Sequence, residues 1–520
     1  MDDHNQQQQS PQVGQSVPST PPPVENQQVV GTDRNRSGMA EQTQPINPSV
    51  PDLTATQQVI PPFPEQITKQ PSVSSATQNT MSPTKPPKKK QSGLPKGIFI
   101  GIVGFVLLLG VFILLKMFGS GFNGGGNGHI TLTYWGLWED KNVMQGIIAD
   151  FEKQHPNITI NYLMQDPHEY TKSLLTRIKN GTGPDIFRYH ISWLPMLEPD
   201  LLPLSTDAIT TADFDKAYYP VMQQDLIKNG AIYGIPLEVD TLALFINKKI
   251  FTDSKAQVPT TWDSFISTAQ ALTQKDGNGK IQVAGAALGA YNNVTHAPDI
   301  LSLLFVQNGV NLKTMTPASN ASDALTFYTS FVKDQNNVWD TTLDPSLLAF
   351  EKGKLAMYIG YSWDIFAIQA ADPNLEFAIY PVPHLPGRNM TIASYWVEGV
   401  SSKTTHPKEA MAFMHYLAQK DTATKLYTAE AKTRAFGELY SRIDLAPLLK
   451  DNPLVYPFVL QAANASSALF AGDTQDSGID AQLNQYLGNA INATLGTTSA
   501  DSAITDLTAG VSQVLQQYGQ

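Results

Sequence analysis

Apolar and polar positions change their spacing repeatedly along the 520 residues, and each change predicts an element. Over residues 130–135, Ile130, Leu132 and Tyr134 alternate with Thr131 and Thr133, the period of a strand with one buried face. Val143, Met144, Ile147, Ile148 and Phe151 then recur at helical spacing, and the pattern stops before Pro156. Residues 158–163 alternate again. Tyr170, Leu174, Leu175 and Ile178 mark a second helix closed by Gly181 and Gly183, and residues 185–189 supply a third strand. This β-α-β-α-β order predicts parallel strands with right-handed crossovers. Ligands in such sheets sit beyond the carboxyl ends of the strands, which points to residues 136–140 and 189–193.

Further along, residues 232–236 and 241–246 read as short extended runs, 261–272 as a helix and 300–332 as helical with breaks. Residues 354–359 and 377–380 read as extended. Residues 407–418 form an amphipathic pattern on Ala410, Phe413, Met414 and Leu417, and helical patterns resume from Ile479 to near Leu515. The DGNGK segment at 276–280 lacks the glycine and glutamate spacing of a calcium loop, having Ile281 and Ala287 there, and reads as a turn.

One run fits none of these periods. Residues 97–115 hold nineteen consecutive positions without a charge, and as a helix they would span roughly 28 Å, the thickness of a bilayer core. We expect one transmembrane helix over 97–118. Lys85, Lys88, Lys89, Lys90 and Lys96 precede it, which orients the N-terminus to the cytoplasm and exports the rest. A cleaved signal peptide would have a short basic leader and a small-residue cleavage site, and neither is present. Residues 1–96, rich in Gln, Pro, Ser and Thr, are expected to be a disordered cytoplasmic tail, serving either for docking or as a spacer. Residues 119–129 read as a Gly-rich linker with an r.m.s. span of roughly 18 Å.

Charge separates the parts. The tail carries eight basic and seven acidic side chains, whereas the chain from Ile130 carries 26 basic and 39 acidic, which argues against nucleic acid as a partner. With no cysteine there is no disulfide framework, thiolate metal site or lipidated cysteine. No metal or cofactor is expected.

Six segments in order, LTYWGLWED (132–140), NGTGPDIF (180–187), YGIPLEVDTLALFINKKIF (233–251) with PTTWDSF (259–265), GKLAMYIGYSWDI (353–365) and WVEGVSSKTTHPKEAMAFMHYL (396–417), resemble extracellular solute-binding proteins of family 1, the maltose-binding-like receptors of ATP-binding-cassette (ABC) importers. The resemblance implies an α/β, two-lobe, periplasmic-binding-protein-like fold of type II over 130–520. Lobe one would take about 130–238 and 396–465, lobe two about 243–393 and 470–520, with crossings near 238–241, 393–396 and 465–470. It also implies an interlobe cleft for a mono- or oligosaccharide and ABC permease subunits as partners. The tail and apolar run depart from the usual family plan, which implies a receptor tethered to the cytoplasmic membrane with its binding domain on the extracellular or periplasmic side.

A sugar offers an apolar C–H face to an indole and a rim of hydroxyls to carboxylates and guanidinium groups. The resemblance places Trp138, Trp193, Trp363 and Trp396 at or beside the cleft, each with core packing as its alternative. Glu139 and Asp140 follow the first strand, Asp140 also as a helix cap, and Glu238 and Asp240 sit in the first crossing. Tyr189, His190 and Tyr361 are further candidates with packing alternatives. Trp135 and Trp262 read as structural, Trp339 is unassigned, and Arg388 reads as a turn residue. An enzyme, specifically a membrane-bound glycoside hydrolase, is disfavoured. GYSWD at 360–364 lacks the second glycine of a nucleophile elbow, and HEYTK at 168–172 lacks the second zinc histidine. A sugar sensor that signals through a membrane partner is the other alternative.

Overall fold

The computed structural model describes residues 128–333 and 337–520. The tail at 1–96, the apolar run at 97–118 and most of the linker at 119–129 lie outside the described residues. Among the described residues no helix is long and apolar enough to cross a membrane.

The alternating segments become strands and the helical ones helices: β1 (Ile130–Gly136), α1 (Lys141–Gln154), β2 (Ile158–Met164), α2 (Pro167–Lys179) and β3 (Ile186–His190). β1 pairs parallel with both β2 and β3, as the crossover pattern predicts. Leu132 and Tyr134 of β1 and Val143, Ile147 and Phe151 of α1 share one core, so the strand period and the helix period meet on a single apolar layer. Asp140 and Asp166 start the two helices by accepting the backbone N–H of Asn142 and His168.

The sheet is not all parallel. Its order is β2-β1-β3-β13-β4, where β4 is Leu201–Leu202 and β13, Trp396–Ser401, arrives from far along the chain and lies antiparallel to β3. β5 (Ile235–Pro236) also pairs antiparallel with β13. The extended run at 232–236 is interrupted at Tyr233–Gly234, where Gly234 lies so close to Glu398 that an added Cβ would sit 2.6 Å from its carbonyl oxygen.

Short β6 (Asp240–Thr241) leads into β7 (Ala243–Asn247), the start of a second sheet. After α3 (Trp262–Leu272), the hairpin of β8 (Gln274–Lys275) and β9 (Ile281–Ala286) turns through 276–280, where Asp276 Oδ1 accepts the N–H of Asn278 and Lys280. α4 (Ala297–Gln307) is buried along its whole length, so it shows no polar face. α5 (Ala318–Thr329) follows the break in the expected helical run. β10 (Leu355–Gly360), α6 (Asp364–Ala371) and β11 (Phe377–Pro381) complete the second sheet, in the order β8-β9-β10-β7-β11.

β12 (Thr391–Ser394) precedes β13, which leads to α7 (Pro407–Leu417) and α8 (Lys420–Glu430). α8 packs on α1 and α7 on β13. β14 (Ala465–Ser467) is followed by α9 (Ile479–Leu495) and α10 (Ala500–Gln517), which pack against each other and against α5. β6, which leads from β5 of the first sheet to β7 of the second, and β12, which leads from β11 back to β13, join β14 in a small sheet of order β14-β12-β6.

Candidate ligand-binding site

A cavity of ≈ 260 Å³ opens at the carboxyl ends of β1 and β3. One wall comes from the turn after β1, the end of β3 and the start of β13. The other comes from the turn between β10 and α6 and the loop at 472–474.

On the first wall Trp138 stands at φ 65°, a left-handed conformation that β-carbon crowding disfavours, and it is 45% exposed. The turn thus holds a large apolar face towards solvent. Trp396 meets Trp138 edge to face at 5.8 Å and packs on His190 at 5.1 Å and Trp193 at 5.2 Å. On the other wall Trp363 stacks on Tyr361 at 4.3 Å and 19°, and Phe366 packs on Phe436 at 4.6 Å with the rings tilted by 30°.

Beneath these rings lies a buried charge cluster. Arg188, at the centre of the buried strand β3, donates from Nε to Glu398 Oε1 at 2.6 Å and from Nη1 to Glu139 Oε1 and to the Leu137 carbonyl at 3.3 Å. Burial pushes the Glu139 and Glu398 carboxyl groups up, and the guanidinium pulls them back towards ionisation. Arg188 Nη2 and Glu139 Oε2 are buried without a hydrogen-bond partner among the described residues. An unpaired buried donor and acceptor are costly, which makes this cluster the most polar part of the cavity's surroundings.

The side beside β12 and β13 is equally polar. Glu238 Oε1 accepts the Trp396 N–H at 2.7 Å, and burial together with Glu438 raises its pKa. His190 bonds Ser192 through Nδ1 and Ser394 through Nε2, and burial pushes it down to about 3, so it is neutral at pH 7. The 472–474 loop is pinned by three contacts: Gly472 N–H to Asp299 at 2.9 Å, Asp473 to His296 at 3.0 Å, and the Thr474 hydroxyl to Asp480 at 2.7 Å. His296 also holds Asp364 at 2.9 Å. Although burial opposes its charge, the two carboxylates keep the imidazole protonated well above the usual range.

Of the residues expected from sequence, Trp138, Glu139, His190, Glu238, Trp363 and Trp396 line this cavity together. Asp140 caps α1 and faces a smaller annex beside it. The remaining four lie behind the wall. Tyr189 is in the core with its hydroxyl on the Tyr233 carbonyl. Trp193 is buried with its indole N–H on Asp480. Asp240 accepts the N–H of Ser362 and Thr241, and Tyr361 donates to Asp299 while supporting Trp363. Trp135 and Trp262 are buried, and so is Trp339, which donates to Asn293. Arg388 closes a tight turn on the Leu385 carbonyl.

Sequence reasoning missed Arg188, Phe366, Ser394, Arg434, Glu438, Asp473 and Thr474. A charge inside a five-residue strand was a usable signal for Arg188. Residues 434–438 and 472–474 lie in loops without period and offered none.

Residues 146–435 match the family of bacterial extracellular solute-binding proteins. A multiple sugar-binding protein of Streptococcus mutans is 24% identical over 349 residues, covering 64% of this chain and 81% of its own length. The maltotriose-binding protein of Pyrococcus abyssi is 20% identical over 350 residues, with 64% and 71% covered. Among solved structures, a cyclo/maltodextrin-binding protein complexed with maltotetraose superposes with a TM-score of 0.62 at 19% identity, over 76% of this chain and 99% of that one. The fold is that of the maltose-binding-like periplasmic binding proteins.

Proposed function

Because the chain belongs to the bacterial extracellular solute-binding proteins, we propose that its cleft captures a mono- or oligosaccharide outside the cytoplasm and delivers it to the permease of an ABC importer. The observation that carries the sugar reading is the meeting of aromatic and charged side chains in one cavity. Trp138, Trp396, Trp363 and Phe366 line its ≈ 260 Å³ together with Arg188 and Glu139, whose Nη2 and Oε2 are without a partner among the described residues. Indoles stack on the C–H faces of a pyranose, and the guanidinium and carboxylate address adjacent hydroxyls with charge-assisted hydrogen bonds. The names of the relatives, a multiple sugar-binding protein and a maltotriose-binding protein, support the same ligand class.

In this reading the two large sheets are the cores of two lobes, about 130–238 with 396–465 and about 243–393 with 470–520, and the β14-β12-β6 sheet is the hinge about which they close. The apolar run at 97–118 anchors the chain in the cytoplasmic membrane and keeps the receptor beside its permease. The protein binds and releases its ligand without chemical change.

The test is calorimetric titration of the full-length chain in detergent with mono- and oligosaccharides, followed by chromatography of each mixture. Saturable binding near one to one with intact sugar is the expected result. Cleaved sugar would show a hydrolase instead, and absence of heat with every glycan would remove the sugar.

A further inference from the structure

A second, smaller cavity adjoins the first on the far side of Trp138. Between the start of α1, the end of α8 and the loop after it lies an annex of ≈ 110 Å³, lined among others by Glu139, Asp140, Glu430, Arg434 and Glu438. Trp138, Glu139, Arg434 and Glu438 border both spaces, so the annex adjoins the main cavity. The annex is less than half the size of that cavity and admits a small head group rather than a further ring.

Two of the carboxyl groups around it have an oxygen without a partner among the described residues. Glu430, 3% exposed at the carbonyl end of α8, uses Oε2 to accept the Glu438 N–H at 2.6 Å and Arg434 Nη2 at 3.1 Å. Among the described residues its Oε1 is buried with no partner, as is Oε2 of Glu139, which is 5% exposed. Arg434, the one cation among the described residues that line the annex, is shared between Glu430 and Glu438, the latter at 2.8 Å. Over both spaces six carboxyl groups, Glu139, Asp140, Glu238, Glu430, Glu438 and Asp473, face two guanidinium groups, Arg188 and Arg434.

A sugar hydroxyl brings one donor and no charge to such a place. A protonated amine brings three donors and a full positive charge. The helix end adds to its attraction, since the last carbonyls of α8 carry partial negative charge. A bare metal ion fits less well, because among the described residues no three acidic or histidine side chains converge as ligands.

We propose that the ligand is an amino sugar whose protonated amine occupies this annex between Glu139 and Glu430. The inference rests on the sugar-binding reading above and narrows it.

The experiment titrates the full-length chain at pH 7 with matched pairs: glucosamine and glucose, galactosamine and galactose, mannosamine and mannose, and chitosan trimer with its fully N-acetylated counterpart. The expected result is at least one pair in which the amine-bearing member binds tenfold or more tightly, with that ratio collapsing in Glu430→Gln. Equal binding within every pair, or tighter binding of the uncharged members, overturns the annex while leaving a sugar receptor in place. If neither member of any pair nor any other glycan binds, the sugar reading fails and the inference fails with it.

Should the variant not fold, the wild-type protein decides alone. Burial pushes Glu430 up to about 8, so at pH 7 the empty annex holds a proton that an arriving ammonium displaces. The binding heat of the amino sugar should therefore differ between phosphate and Tris buffers, and that of its uncharged partner should not. Identical heats in the two buffers would overturn the proposal.

Discussion

Trp138 combines strain with exposure, and the two can be separated experimentally. Its left-handed φ suits glycine, so Trp138→Gly relaxes the backbone while deleting a ring that faces the cleft. The variant should lose about 2 kcal/mol of sugar affinity, a factor of about 30 in Kd, with little change in Tm. A large drop in Tm would mean that the ring holds the fold rather than the ligand. Asp480 gives a second test. Burial pushes its carboxyl up to about 7 although it accepts from Ser192, Trp193 and Thr474. The folded chain therefore holds this proton more tightly than the unfolded one. That contribution to stability is complete below about pH 4 and is lost as pH rises through 7. Asp480→Asn fixes the neutral form, so its Tm relative to wild type should climb between pH 4.5 and 8, and a constant difference would exclude this role. Residue types alone pointed to tryptophans and acids at strand ends, and several of these do meet in the cleft. They did not separate Trp396, whose ring faces the cavity, from Trp193 behind it. That distinction depends on which side of the wall the 191–193 turn presents, and α9 settles it from nearly 290 residues away.

At the scale of elements, period was a good guide because each strand and helix of the first β-α-β-α-β unit buries one face against the same layer. It gave the parallel orientation of β1, β2 and β3 but not the place of β13. Nothing in residues 396–401 shows that β13 inserts antiparallel beside β3, since strand pairing over such a separation is a tertiary choice. The second sheet makes a close demand on its helix. Gly285 of β9 lies against the Ala269 carbonyl of α3 with no room for a Cβ. Gly285→Ala must displace α3, and with it Trp262 and Phe265 from the core. A loss of about 1–3 kcal/mol, read as a lower denaturation midpoint with an unchanged m-value, is expected. An unchanged midpoint would show that the helix moves freely over the sheet.

For the whole molecule, the proposed closure can be measured directly because the chain has no cysteine of its own. Lys153 on α1 and Lys275 on β8 are exposed and belong to the helical cover of the first sheet and the edge of the second. Donor and acceptor dyes on Lys153→Cys and Lys275→Cys should show a higher transfer efficiency when a binding sugar is added, and a ligand that binds without changing it would exclude lobe closure. The place of β13 has a further consequence, for the time course of synthesis. This strand is central to the first sheet, yet it leaves the ribosome roughly two hundred residues after β3, a delay of about 10–40 s at ordinary elongation rates. Until then the first three strands lack the neighbour that completes their layer. A chain exported while it is being made would thus cross the membrane before its first sheet can close, and late arrival of one strand would keep it threadable.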